Sequence, residues 1–241
     1  MRIHFIIHEA FEAPGFFVSW AESNGYDITA SRVYQGDKLP DRAEGIDLLV
    51  VMGGPQSPAT TKEECPHFDA MDEQRLIRQC VDAGSAVVGV CLGSQLIGEA
   101  LGAPYEHSPE KEIGAFPITL TEEGRANPKL SHVGKSAVVG HWHNDMPGLT
   151  ADAKVLAFSE GCPRQIVEYS PLVYGLQCHM ELTPEVVELL IAASEPELAA
   201  AKNLRFVQQP DVLRANDYTE MNALLQQFLD ALVVDLKRSR E

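Results

Sequence analysis

The sequence predicts an α/β fold, an open and mostly parallel sheet flanked by helices, with antiparallel strands added to it and a helical extension at its C-terminus. Three observations carry this. Short β-branched runs, "RIHFIIH", "YDITASRVY", "IDLLVVMGG" and "SAVVGVC", each stop at glycine, charge or a turn. Between the third and fourth, "FDAMDEQRLIRQCVDAG" spaces Met71, Leu76, Ile77, Cys80 and Val81 in approximate helical register and ends at Gly84. That is the crossover helix that two buried parallel strands need. Finally, 241 residues, 45% hydrophobic and 22% charged, hold enough mass for one large core.

Taken in order, "RIHFIIH" is a first strand that runs directly into "FEAPGFFVSW"; its apolar stretch is too brief for a signal peptide. "IDLLVVMGG" ends on Gly53, Gly54 and Pro55, and "SAVVGVC" delivers Cys91 before the helical "SQLIGEALG". The texture then changes. "GAFPITLTEEG", "SAVVGHWH", "AKVLAFSE", "RQIVEYS" and "LVYGLQCHMEL" are short strands with tight connections, the pattern of antiparallel additions. Thr183 reads as an N-cap with Pro184 at the first helical position of "EVVELLIAAS". The stretch from Lys202 to Asp217 reads as an irregular connection. The last helix, "YTEMNALLQQFLDALVVDLKRSRE", puts Met221, Leu224, Leu225, Phe228, Leu232 and Val233 on one face. The expected organisation is a domain over residues 1–192, with 193–241 packed on it as the helical extension.

Composition narrows the partners. With 19 basic and 35 acidic residues the net charge is −16, which opposes binding to nucleic acid and to anionic membranes and leaves a small-molecule or protein substrate. No stretch approaches the ~20 apolar residues of a membrane span. The five cysteines are odd in number and lack CxxC spacing, so free thiols in a reducing, cytoplasmic setting are expected.

Gly89-x-Cys91-x-Gly93 lies between a strand and a helix. Small flanking residues allow the sharp strand-to-helix turn that projects a nucleophile, and the helix N-terminus favours thiolate. Cysteine is also among the most buried residue types, so this motif alone leaves a core cysteine and a nucleophile equally open. "QCHMEL" supplies a partner: in an extended chain His179 and Glu181 lie side by side, and a carboxylate beside imidazole fixes its tautomer. "VVMGGPQSP" adds glycines that let backbone N–H groups approach a substrate oxygen.

Together and in this order, "MGGPQS", "GVCLGSQLIGEALGA" and "QCHMEL" resemble the class I glutamine amidotransferases of the Cys-His-Glu type, such as the glutaminase domain of GMP synthases, in a stand-alone form. The resemblance covers roughly Ile46 to Glu185 and implies a flavodoxin-like sheet. It implies Cys91 as nucleophile, His179 as general base and acid, and Glu181 as its orienter. The N–H groups of Gly54 and Leu92 would form the oxyanion hole. Gly53, Gln95, His143 and Asp145 would bind substrate, the last two from "HWHNDMPGL". No cofactor is implied, and a synthetase or acceptor subunit would be the partner.

Departures from the pattern bear on function. Met180 stands where relatives carry proline, Cys178 replaces a common aromatic, and Ala115 stands where an aromatic often shapes the pocket. No GxxxxGK[ST] motif occurs in the 241 residues, and the chain is expected to stand without a synthetase domain. The expected activity is attack of Cys91 on the γ-carbonyl of glutamine or a γ-glutamyl amide, releasing ammonia or an amine. A γ-glutamyl peptidase, admitted by an opening at Ala115, and a non-catalytic regulatory subunit remain alternatives. "HWHND" also resembles the start of a dinuclear metal site, but Met146 occupies the place of the next histidine. No metal is therefore expected, and His141 reads as structural.

Overall fold

The computed structural model describes all 241 residues. Its first half alternates strand and helix: β1 (Arg2–Ile7), α1 (Phe16–Ser23), β2 (Asp27–Arg32), β3 (Leu48–Val51), α2 (Ala70–Asp82), β4 (Ala86–Val90) and α3 (Leu92–Ala100). Strands β3 and β4 are buried at every position, which explains their unbroken apolar runs. Edge strand β2 alternates exposed residues with part-buried or buried ones instead. The crossover helix forms as the periodicity predicts, capped by Asp69, whose side chain accepts from the Asp72 N–H at 3.2 Å.

The second half holds β5 (Glu106–Leu120), α4 (Glu122–Ala126), β6 (Ser136–Met146), β7 (Lys154–Phe158), β8 (Ile166–Ser170) and β9 (Val173–Leu176). It continues with α5 (Pro184–Ala193), α6 (Glu195–Ala200), β10 (Phe206–Val207), α7 (Pro210–Ala215) and α8 (Thr219–Arg238). All strands join one sheet in the order β10-β5-β7-β8-β9-β4-β3-β1-β2, with β6 also pairing β5. Strands β2, β1, β3, β4 and β9 are mutually parallel, while β5, β6, β7, β8 and β9 are linked by antiparallel pairs. This is a flavodoxin-like sheet with antiparallel strands added beyond β9. The Lys202–Asp217 segment departs from its expected irregularity: it contains β10, which pairs in parallel with β5, and α7.

Two cores sandwich the sheet. Phe5, Leu48, Val50 and Val88 face the core shared with α1, α5 and α8, whereas Ile6, Leu49, Val51 and Val87 face the one shared with α2 and α3. Helix α8 buries Met221, Leu225, Phe228, Leu229, Leu232, Val233 and Leu236 in the first of these cores. A fully buried Leu or Phe contributes about 1.5–3 kcal/mol, so this stripe anchors the C-terminus firmly. No helix is long and apolar enough to cross a membrane. Strand order reverses between β1 and β3, the point outside which open α/β sheets bind their ligands.

Candidate active site

Cys91 follows directly on β4 and is the one non-glycine residue with positive φ, at 49°. That conformation costs on the order of 1–3 kcal/mol and persists only where the surroundings hold it. Here they do. The Cys91 N–H donates to the Leu176 carbonyl at 2.8 Å, and its own carbonyl accepts from the Ser94 N–H at 3.0 Å and the Ser94 hydroxyl at 2.7 Å. A Cβ on Gly93 would lie 2.0 Å from the Val51 carbonyl oxygen, so only glycine lets α3 start this close to β3. Neither the Gly54 nor the Leu92 N–H donates to a backbone carbonyl, and the Leu92 N–H serves the Cys91 thiol.

His179 lies beyond the end of β9, not within it. A two-way backbone bridge to Gly140 on β6 fixes its position, the His179 N–H donating at 2.8 Å and accepting in return at 3.0 Å. Its Nδ1 meets Glu181 Oε1 at 2.7 Å, while buried Nε2 is left without a partner. Burial opposes charge on this ring, but Glu181 and the Cys91 thiol outweigh it and hold the His179 pKa well above the usual histidine value. Burial pushes the Cys91 thiol up, and His179 and the Leu92 N–H pull it partly back. Thiol and imidazole therefore form one coupled proton-holding pair.

Cys91 opens onto a cleft of about 370 Å³ lined also by Glu12, Gly54, Gln95, Lys111, Trp142, His143, Asp145, Ser194 and Glu197, while His179 and Glu181 stay buried behind it. Gln95 is buried and donates its amide to Gln177 at 3.2 Å. His143 is buried in the cleft wall, and Asp145 pairs with exposed His107 at 2.5 Å. Gly53 sits behind the cleft: its carbonyl meets His8 Nδ1 at 2.9 Å, and a Cβ there would lie 2.6 Å from Glu12 Oε2. Ala115 does not line the cleft. Its backbone is tied on both sides by the Gln208 amide, so the opening expected from its small side chain is not present.

Glu12 escaped the sequence reading. It is 8% exposed in the loop after β1, at the cleft and against the triad. Burial raises its pKa, Glu181 adds to the rise and His179 opposes it. The only sequence signal is an acidic residue inside an otherwise apolar turn, "FEAPGFF". Also unforeseen is the buried pair of His8 Nε2 and Glu73 Oε2 at 2.8 Å, which ties the Gly53 loop to α2. Two clusters group residues able to ligate a metal: Glu9, Cys65 and His67 near the surface, and buried Glu112, His141 and His143.

Residues 19–192 match the family model described as "Glutamine amidotransferase class-I". The glutamine amidotransferase-like protein YfeJ of Salmonella typhimurium is 58% identical over 234 residues, covering 97% of this chain and 98% of that one. The crystal structure of SMU.1228c superposes with a TM-score of 0.95 at 49% identity, covering 97% of this chain and all of that one. The GMP synthase of Edwardsiella ictaluri is 32% identical over 143 residues, which make up 56% of this chain and 25% of that enzyme. The sheet order, the Cys91 turn and these matches agree, and the chain belongs to the class I glutamine amidotransferase family.

Proposed function

We propose that this chain is a thiol-dependent amide hydrolase acting on the γ-carbonyl of glutamine or of a γ-glutamyl amide. What supports it most is the conjunction of strained Cys91 at the cleft, the His179–Glu181 pair at 2.7 Å coupled to its thiol, and two backbone N–H groups that donate to no carbonyl. His179 takes the Cys91 proton and the thiolate attacks the γ-carbonyl. The resulting oxyanion is held by the N–H groups of Gly54 and Leu92. Glu181 stabilises the imidazolium, which protonates the departing amine as the C–N bond breaks. Water, deprotonated by His179, then attacks the γ-glutamyl thioester, releasing glutamate and the thiol. Gln95, His143 and Asp145 would wall the glutamyl part, and Glu12 offers a carboxylate for its α-ammonium group. Gly53 serves by leaving room for Glu12.

A γ-glutamyl peptidase is the second reading, favoured by a cleft that continues past Cys91 to Ser194 and Glu197 on either side of the start of α6, beyond what ammonia needs as a leaving group. If glutamine is the substrate, an acceptor or synthetase subunit would take up the ammonia. The free thiols suit a reducing, cytoplasmic setting.

The test is incubation with glutamine and a panel of γ-glutamyl dipeptides, reading ammonia and free amino acid separately, alongside labelling with a glutamine-mimicking chloroketone. Cys91 is expected to label first of the five cysteines, with glutamine protecting it. Release of amino acid in excess of ammonia selects the peptidase. An inert Cys91 with no turnover of any γ-glutamyl compound rejects both readings.

A further inference from the structure

Of the cluster of Glu112, His141 and His143 only His143 reaches the cleft wall, and none of the three moves a proton in the scheme above. The cluster is built on paired strands: Glu112 on β5 stands opposite His143 on β6, and His141, two residues earlier, shares the face of His143. The sequence sought a further ligand along "HWHND" and met Met146; the fold brings one from the neighbouring strand instead. All three side chains are essentially buried.

Three of their atoms converge. His143 Nε2 lies 3.3 Å from Glu112 Oε2, His141 Nδ1 lies 3.4 Å from His143 Nε2, and His141 Nδ1 lies 3.6 Å from Glu112 Oε2. Hydrogen-bonded pairs cluster near 2.9–3.0 Å. Ligands at about 2.0–2.1 Å from a tetrahedral zinc ion are instead about 3.3–3.4 Å apart. His141 Nε2 meets the Phe116 carbonyl at 3.3 Å, which places the ring proton on Nε2 and turns the Nδ1 lone pair to the cluster. A backbone carbonyl behind a ligating histidine is the usual orienting contact in metal sites. Gln165 closes a further side, its amide nitrogen 2.7 Å from Glu112 Oε2 and 3.2 Å from His143 Nε2. Its own Oε1 is buried without a partner. Turned over, the amide presents that oxygen to the same centre, an orientation that pays only when a cation sits there.

We propose that Glu112, His141 and His143 form a buried site for one divalent transition-metal ion, with the Gln165 amide as the fourth neighbour. Two imidazoles and a carboxylate suit zinc or cobalt rather than magnesium or calcium. Because the site lies within the protein, the ion's part is to lock the β5–β6 hairpin to the β7–β8 connection behind the cleft. It would enter on folding and exchange slowly.

The whole chain, unfolded in chelator and refolded without metal, is titrated with Co²⁺ and then Zn²⁺. One equivalent of cobalt is expected, with the intense visible absorption of a four-coordinate ion, displaced by one equivalent of zinc, and zinc should raise Tm by several degrees. Glu112→Gln and His141→Ala should each lower affinity by at least about 100-fold, while Cys65→Ser should bind as the parent does. Glu112→Gln keeps the shape of the side chain and guards against a folding failure in the histidine variant. Binding below a tenth of an equivalent overturns the proposal. So does binding that survives Glu112→Gln, or binding lost in Cys65→Ser, which would assign the ion to the Glu9–Cys65–His67 cluster.

Discussion

Single residues decide the chemistry through what surrounds them. The carboxylate of Glu181 does not attack anything; it holds the His179 pKa high against the effect of burial. Replacing it with glutamine keeps an acceptor at Nδ1 and removes the charge, so the pKa of the coupled pair falls. The proposed mechanism requires that pair to have lost one proton, which would give the rate profile its acid limb. For Glu181→Gln that limb should move to lower pH while the maximum falls about 100-fold; a limb that stays put would disconnect Glu181 from the titration. Glu12 makes a different demand. If it receives the substrate's α-ammonium group, Glu12→Gln should raise KM by about tenfold, the loss of one charge-assisted hydrogen bond. An amide substrate without the α-amino group should be unaffected. A fall in kcat at constant KM would mean that Glu12 acts on His179 instead. Cys91 and the His179–Glu181 pair each carry a local sequence signal, the small residues flanking the cysteine and the two-residue spacing of the pair. Glu12 could not be found in this way, since its meaning depends on Gly53 and His179, which meet it only in space.

At the level of elements, the legible parts were those whose pattern is set by burial on both faces. Strands β3 and β4 and helix α2 stand where the apolar runs and the helical spacing put them. The end of "LVYGLQCHMEL" was less legible: the strand stops at Leu176, and a bridge to Gly140, far away in sequence, sets the imidazole. Ala115 was misplaced for a related reason. Its backbone is tied to Gln208, 93 positions further along the chain, and that contact, set only by the fold, stands apart from the cleft. The α3 start offers the sharpest test of an element. In Gly93→Ala the new methyl would have to displace the Val51 carbonyl or lift the helix away from β3. Overpacking of this kind costs about 1–3 kcal/mol, to be read from the urea midpoint at constant m. Turnover should drop further than that loss of folded protein accounts for, because the Leu92 N–H moves with the helix. Parental turnover would show that the turn tolerates a side chain.

For the molecule as a whole, the C-terminal helix joins the fold to the site. The Asn222 amide of α8 donates to the carbonyls of Met180 at 2.8 Å and Leu182 at 3.1 Å, on both sides of Glu181. The Glu181 carbonyl itself accepts from the Phe16 N–H at 2.9 Å, so α1 and α8 grip the same three residues. Helix α8 is held in turn by Trp20 Nε1 donating to Asp230 at 2.8 Å and by Lys129 against Asp235 at 2.5 Å. We propose that residues 193–241 brace the triad loop of the 1–192 domain. The amphipathic pattern foretold that this helix would pack, but not that one polar residue in it would reach the loop that carries Glu181. Asn222→Ala should lower kcat by about 30-fold, in keeping with two hydrogen bonds of about 1 kcal/mol each, and leave KM near the parental value. Asn222→Asp should be worse, since its carboxylate would face two carbonyl oxygens with nothing to donate. Circular dichroism and Tm measured on the same samples separate the two accounts of α8. A lowered Tm with undiminished kcat in folded protein would leave the helix a support for the core alone and remove its part in positioning Glu181.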